Sequence, residues 1–201
     1  MSLGVQIFCL LLLVCIGGFF SFSEISLAAA RKLRLRAMTE EGVRGAARTL
    51  KTKENPGRYF SVIQIGNNMA AIMGGIVGES AFSPYFTAAF RYVLSPETAA
   101  QLGFICSFLL ITCAVVLLSD LLPKRLAMNN PERNAILVSM PMHIFGTIIS
   151  PFVWIFDNLA NAVLRLLNIP LAPKDKLTSD DILATVSAGS IRASLMPMNK
   201  R

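Results

Sequence analysis

The stretch that decides the fold is LGVQIFCLLLLVCIGGFFSFSEISLAAA, residues 3–30, which holds no basic residue and a single acidic one, Glu24. A helix that rises about 1.5 Å per residue over this run crosses a hydrocarbon core of roughly 30 Å. The run is too long for a secretory signal, and no basic residue precedes it. We therefore expect a retained membrane-spanning helix at the start of the chain.

The whole chain has the composition of an integral membrane protein. Of its 201 residues, 54% are hydrophobic and 15% are charged, whereas a soluble domain carries about 25% charged residues. Its four cysteines lie within apolar runs and form no C-x-x-C pair, which favours simple packing over metal binding. The sequence contains no nucleophile–base set and no phosphate-binding loop, so we do not expect an enzyme.

Two later segments are apolar enough to span the membrane, from about Tyr59 to Gly78 and from about Ala99 to Leu122. Residues 31–58 carry nine basic and three acidic side chains, whereas residues 79–98 hold only Arg91 as a basic residue. Because cytoplasmic loops are rich in Lys and Arg, we place residues 31–58 inside, residues 79–98 outside and the N-terminus outside. Residues 86–94 are too short to span and are expected on the outer surface. A basic loop beside a membrane segment does not favour a nucleic-acid partner.

The segment of residues 134–170 is ambiguous. It is apolar, but prolines and polar residues interrupt it, and basic residues flank both ends. Such flanks favour bent helices that lie at the cytoplasmic surface, and a fourth span is the alternative. We therefore expect an all-α membrane protein with three spans in residues 1–133, a juxtamembrane belt in residues 134–170, and a cytoplasmic helical linker in residues 171–201.

Polar side chains with oxygen atoms recur within the three expected spans. They are Ser21, Ser23 and Glu24 in the first, Asn67 and Asn68 in the second, and Asp120 in the third. An acidic side chain at the centre of a membrane helix costs about 2.5–3.5 kcal/mol, so such groups indicate a function or a position near the polar edge. Donor sets made only of oxygen suit Mg²⁺ or Ca²⁺ rather than Zn²⁺. We therefore predict a divalent-cation site built from these six residues.

Simpler roles for the same residues remain open. Serines in membrane helices often form hydrogen bonds only with neighbouring helices. Glu24 and Asp120 lie close enough to basic residues, among them Lys124, to form ion pairs near the membrane surface. In favour of the cation site, Pro123 has no N–H, so a regular helix would leave the Ser119 carbonyl without its donor. A free carbonyl beside the Asp120 carboxylate suits a hard cation.

Three motifs resemble the membrane domain of the CorC/CNNM family, which includes hemolysin-like proteins. They are FFSFSE at residues 19–24, QIGNN at 64–68 and DLLPK at 120–124, and the likeness extends over roughly residues 4–185. The resemblance implies a homodimer in the bacterial inner membrane, with three membrane helices per subunit and a cytoplasmic belt. It also implies Mg²⁺ export with Na⁺ as the coupling ion, on a site formed by Ser21, Asn67 or Asn68, and Asp120.

The chain departs from that family in two ways. Asp120 stands where the family usually has Glu, which shortens the carboxylate side chain. Family members continue into a CBS module, whereas residues 171–201 match only the start of the linker that precedes it. The leading hypothesis is a dimeric Mg²⁺ exporter, and the alternative is a membrane scaffold that regulates another transporter without transporting ions itself.

Overall fold

The computed structural model describes residues 2–167, and within them every regular element is helical. The elements are α1 (Leu3–Ala29), α2 (Lys32–Glu40), α3 (Ala46–Glu54), α4 (Gly57–Phe90), α5 (Pro96–Val115), a π-helical segment (Val116–Leu121), α6 (Leu122–Ala127) and α7 (Pro131–Leu166). Residues 2–156 belong to one compact unit, which contains the features discussed below. Residues 157–167 belong to a second unit, and residues 157–166 form the end of α7.

Four helical stretches are long and apolar enough to cross a membrane. They are Leu3–Ala29, Gly57–Phe90, Pro96–Ala127 and Pro131–Leu166, and the third consists of α5, the π-helical segment and α6 in continuous succession. The chain is thus a multi-pass membrane protein that is helical throughout the regular elements of residues 2–167. Length and composition make α7 a candidate fourth span, while its expected position at the membrane surface stays a prediction.

The helices pack through a core that α1, α4 and α7 share. Phe20 of α1 lies with Val62 and Ile63 of α4 and Met142 of α7 in one buried cluster. The Phe20 ring also contacts the Phe145 ring, with centroids 5.5 Å apart. Close van der Waals packing of this kind is one of the forces that hold membrane helices together.

Small residues let α4 approach α5 closely. The row of Ala70, Gly74 and Gly78 is buried, as its small-x-x-x-small spacing predicts. A Cβ added at Gly78 would overlap the side chain of Ile111, and one at Gly103 would overlap Thr87. The two helices therefore remain in contact beyond Gly78.

That continued contact corrects the predicted end of the second span. Helix α4 does not stop at Gly78 but runs through Pro84 to Phe90, so residues 86–90 extend this helix rather than forming a separate surface stretch. The predicted end of the third span at Pro123 is also wrong, because α6 continues through Pro123 to Ala127. In α4 the packing on α5 outweighs the local signal of Pro84, and before Pro123 the helix continues as a π-helical turn.

The basic segment between α1 and α4 folds into two short helices, α2 and α3. Gly42 and Gly45, both with positive φ, form the turn between them. Glu132 at the start of α7 is buried and contacts the beginning of this segment. Its carboxylate accepts a hydrogen bond from the Arg31 backbone N–H at 3.2 Å and lies 4.0 Å from the Arg34 guanidinium.

Lys53 of α3 caps the C-terminal end of α1. Its ammonium donates to the carbonyls of Leu27 and Ala28, each at 2.8 Å. Such carbonyls have no partner within the helix, and a cation interacts well with that end of the helix dipole. Partial burial lowers the pKa of Lys53, and the positive charge of Lys32 lowers it further.

Candidate cation site

Three of the predicted side chains, each from a different helix, meet in the interior of the helical bundle. The Ser21 hydroxyl of α1 donates to Asp120 Oδ1 of the π-helical segment at 2.8 Å. The Asn67 amide of α4 donates to Ser21 Oγ at 3.3 Å. Ser21 is fully buried, and Asn67 and Asp120 are partly buried. The structure therefore brings Ser21, Asn67 and Asp120 together, as the sequence motifs predict.

Glycines allow these helices to come close enough for the contacts. A Cβ added at Gly17 would overlap Ser119 Oγ and lie 3.3 Å from Asn67 Oδ1. A Cβ at Gly66 would lie 2.5 Å from the ring of Phe20. Close backbone approach at small residues is how membrane helices bring polar groups into register.

The π-helical segment sets the position of Asp120. In this segment the hydrogen bonds run from residue i to residue i+5, and the Leu122 N–H accordingly donates to the Leu117 carbonyl. Such a wide turn accommodates Pro123, which has no N–H to continue a regular ladder. The sequence signal of an interrupted helix before Pro123 thus corresponds to a π-helical turn that carries Ser119 and Asp120.

Lys124 places a cation inside the cluster. Its ammonium lies 2.8 Å from Asp120 Oδ1 and 3.3 Å from Glu24 Oε2. All three side chains are about one-third exposed, so the ion pairs are not sealed in a core. Glu24 and Asp120 therefore form ion pairs with a basic residue, which is the alternative role that the sequence allows for them. Through these contacts Lys124 links Glu24 to the Ser21–Asn67–Asp120 network.

The structure does not bring Ser23 and Asn68 into this cluster. The Ser23 hydroxyl donates to the Phe19 carbonyl of its own helix at 2.7 Å. Asn68 is exposed, since neighbouring residues on a helix point about 100° apart and Asn67 faces inward. Within the described residues, the side chains of Ser23 and Asn68 form no hydrogen bond with Ser21, Asn67 or Asp120. Their role as cation ligands stays a prediction.

Within residues 2–167, no group of three or more His, Cys, Asp and Glu side chains is arranged to hold a metal ion. A metal ion at this site would therefore rely on neutral oxygens beside the two carboxylates. The available oxygens are the Ser21 hydroxyl and the amide oxygen of Asn67. His143 lines a separate cavity between α3, α4 and α7.

From sequence alone, Lys124 is one of several basic residues that could pair with Glu24 and Asp120. Its spacing of four residues from Asp120 on a helix is the signal that could have singled it out. The close approach of Gly17 to Ser119 was not foreseen, because it depends on the tertiary arrangement of two distant segments.

Comparisons with known proteins find one matching family profile and several similar bacterial proteins. The profile of the family described as cyclin M transmembrane N-terminal domain (CNNM) matches residues 7–193. A protein named polyamine export protein in Salmonella typhimurium is 48% identical over 190 residues, which cover 94% of this chain and 42% of the relative. The protein of the same name in Haemophilus influenzae is 38% identical and is covered over 44% of its length. A UPF0053 protein of Synechocystis is 30% identical and is covered over 42%.

The chain thus spans somewhat over two-fifths of the length of these curated relatives. The similarity includes the whole of the candidate site, since Ser21, Asn67 and Asp120 all fall within the residues that the profile matches.

Proposed function

Since this chain belongs to the cyclin M transmembrane domain family, we propose that it forms the membrane part of a cation exporter in a bacterial inner membrane. The proposed cargo is an organic polycation with primary ammonium groups. The main support for this cargo is the position of the Lys124 ammonium. It forms ion pairs with Asp120 and Glu24, and the Ser21 hydroxyl contacts the same Asp120 oxygen. An ammonium donates three hydrogen bonds and needs acceptors around it, and carboxylate and hydroxyl oxygens provide them here.

Polyamines carry the same chemical group at each end as the lysine side chain. The relatives named polyamine export protein supply independent support for this cargo, because 94% of the present chain aligns with them. In this proposal the cargo ammonium replaces the Lys124 ammonium on Asp120, and a movement of α1 and α4 relative to the π-helical segment then opens the site outward.

Mg²⁺ is the second candidate cargo. It is supported by the oxygen-only donor set of Ser21, Asn67 and Asp120, because oxygen ligands suit Mg²⁺, and by the family resemblance. On this proposal Lys124 must leave before the ion binds, and Na⁺ is the coupling ion. We further propose that the chain works as a homodimer, has its N-terminus outside and has no enzymatic activity.

The test is transport by the full chain in proteoliposomes, with radiolabelled 1,4-diaminobutane and a Mg²⁺-sensitive dye. Ser21→Ala removes the hydroxyl that bonds Asp120, and Asp120→Asn removes the charge. Hydrogen bonds to charged groups contribute about 1.5–3 kcal/mol, so each change is expected to lower diamine flux by tenfold or more.

Ser26→Ala is the matched control. Ser26 is a buried serine of the same helix whose hydroxyl donates to the Phe22 carbonyl of its own helix, so its removal should leave the flux nearly unchanged. Flux that is equal in wild type, Ser21→Ala and Asp120→Asn rejects the site. Mg²⁺ flux without diamine flux favours the second candidate, and cation binding without any flux favours the non-transporting scaffold.

A further inference from the structure

A second polar cavity lies apart from the cation site, between α3, the start of α4 and α7. Its volume is about 570 Å³. Basic side chains from α3 and α4 line it: Arg48, Lys51 and Arg58. Hydroxyl groups from α3 and α7, including those of Thr52 and Thr147, line it as well.

The permanently charged residues that line this cavity are all positive. No carboxylate lines it, and within residues 2–167 none of its three cations has an acidic partner at ion-pair distance. Glu54, the acidic residue of α3, pairs instead with Arg36 at 3.5 Å. The lining hydroxyls of Thr52 and Thr147 already donate to carbonyls of their own helices, so the three cations are the groups that can bind an anion. Cationic side chains around one space are the chemistry that binds a phosphate group.

Both arginines of the cavity contact helix α7. The Arg58 guanidinium donates to Ser150 Oγ at 2.7 Å, and the Arg48 guanidinium contacts the Met140 sulfur at 2.8 Å. Side chains that are already ordered lose less conformational entropy when a ligand binds. The cavity is therefore partly preorganised for an anion.

An apolar surface lies beside the cavity on α7. The cavity-lining residues His143 and Thr147 alternate with Ile144 and Ile148, which belong to the neighbouring helix face and are 54% and 65% exposed. The floor of the cavity is apolar as well, because it contains the buried side chains of Val62 and Met142. A ligand that fits both surfaces has an anionic head and a hydrocarbon tail.

We propose that this cavity is a binding site for an anionic phospholipid, with the phosphate between Arg48 and Arg58 and an acyl chain along Ile144 and Ile148. Its place at the start of a membrane helix, next to the basic segment, is where basic pockets take up lipid headgroups. The site is independent of the cation site and of the proposed cargo.

The test measures which lipids stay with the purified protein. The full chain is reconstituted in vesicles with equal amounts of phosphatidylglycerol and phosphatidylcholine, re-extracted in mild detergent, and its bound lipids are counted by native mass spectrometry. Wild type is expected to retain phosphatidylglycerol in preference to phosphatidylcholine. Because each basic residue near a membrane surface contributes about 1 kcal/mol to anionic lipid binding, Arg48→Gln/Arg58→Gln should lower this preference by about fivefold or more per cation.

Lys32→Gln/Arg44→Gln is the matched control, since it removes two exposed cations of the same basic segment that do not line the cavity. His143→Glu is a second variant that leaves Arg48 and Arg58 with their contacts to α7, and it should repel the phosphate, whereas His143→Gln should not.

Equal retention of phosphatidylglycerol by wild type, Arg48→Gln/Arg58→Gln and His143→Glu would overturn the proposal. So would a loss of equal size in the control pair, which would indicate only a general attraction to anionic membranes. Inorganic phosphate at millimolar concentration should not displace the lipid, and displacement would instead assign the cavity to a soluble phosphate ligand.

Discussion

Asp120 receives both of its short contacts on one carboxylate oxygen, from the Ser21 hydroxyl and from the Lys124 ammonium. Lys124 also reaches Glu24, so the positive charge that balances both acidic side chains belongs to the protein itself. Any cargo cation competes with this tethered ammonium. If the site binds a free cation as proposed, Lys124 therefore sets the affinity at the scale of single residues.

Replacement of Lys124 by Gln should strengthen cation binding. The carboxylates lose their internal partner and should bind 1,4-diaminobutane or Mg²⁺ about tenfold more tightly, since hydrogen bonds to charged groups contribute about 1.5 kcal/mol or more. Isothermal titration of the purified chain measures this change. Arg125→Gln is the control, because Arg125 is an exposed neighbour that lies outside the cluster. Unchanged or weaker binding by Lys124→Gln alone would show that Lys124 does not compete with the cargo.

Lys53 provides a pH-dependent contribution at the end of α1. Burial lowers its pKa in the folded protein, so between that lowered value and 10.5 the unfolded chain holds more protons at this position. The stability that Lys53 contributes therefore rises with pH across this window and is lost as the pH falls through the lowered pKa. The difference in unfolding temperature between wild type and Lys53→Met should accordingly grow toward alkaline pH.

The measurement for Lys53 is a series of thermal unfolding curves in detergent from neutral pH to about pH 10.5. Lys51→Met serves as the control, because it removes an exposed ammonium from the same helix that makes no comparable contact with α1. A slope of the same size for Lys51→Met would attribute the effect to general charge rather than to the burial of the Lys53 ammonium.

The residues of the candidate site differ in how far sequence alone could place them. Ser21, Asn67 and Asp120 were predictable, because polar groups inside apolar helices must face one another rather than lipid. The choice between Asn67 and Asn68 depends on the rotation of α4, which is fixed by the contact of Gly66 with Phe20. Ser23 has a local partner in its own helix, and such bonds compete with any more distant ligand.

At the scale of helices, sequence predicted where the elements start better than where they end. Pro56 immediately precedes α4, and Ser95 caps α5 by accepting a hydrogen bond from the Thr98 N–H. Both are local signals that act over one turn. The predicted end at Gly78 is wrong because α4 continues to pack on α5. The predicted end at Pro123 is wrong because a π-helical turn accommodates this residue, which has no backbone N–H.

The contact between α1 and the π-helical segment is the element-scale feature most sensitive to mutation. Gly17→Ala would force a methyl group against Ser119 and Asn67, so the helices must shift. Overpacking of this kind costs about 1–3 kcal/mol, and separation of Ser21 from Asp120 should reduce cation transport as well. Thermal unfolding and proteoliposome flux measure the two effects.

Gly75→Ala is the matched control for that change, because a Cβ at Gly75 of α4 meets nothing within 4 Å. It should preserve transport and leave stability unchanged or slightly raised, since alanine favours helix over glycine by about 1 kcal/mol. Equal behaviour of Gly17→Ala and Gly75→Ala would contradict the proposed tight packing at the site.

At the scale of the whole molecule, composition alone identifies a helical membrane protein, and the positions of the first three long helices follow from the apolar runs. The number of spans does not follow, because α7 is apolar enough to cross the membrane and yet is flanked by basic residues on both sides. Hydropathy measures the tendency to leave water, which is similar for a spanning helix and for one that lies in the membrane surface. The flanking charges are the additional signal, and they favour the surface.

Cysteine labelling decides between these two arrangements of α7. In a background without the four native cysteines, single cysteines replace Arg44 in the basic segment, Tyr92 in the turn after α4, and Phe156 in α7. A membrane-impermeant maleimide should label positions 44 and 92 from opposite sides, because one long helix separates them. Pro131 to Phe156 corresponds to roughly 38 Å of helix, enough to cross the core, so position 156 reports whether α7 does so. Labelling of position 156 from the side of position 44 is expected for a surface helix, whereas labelling from the side of position 92 would establish a fourth span.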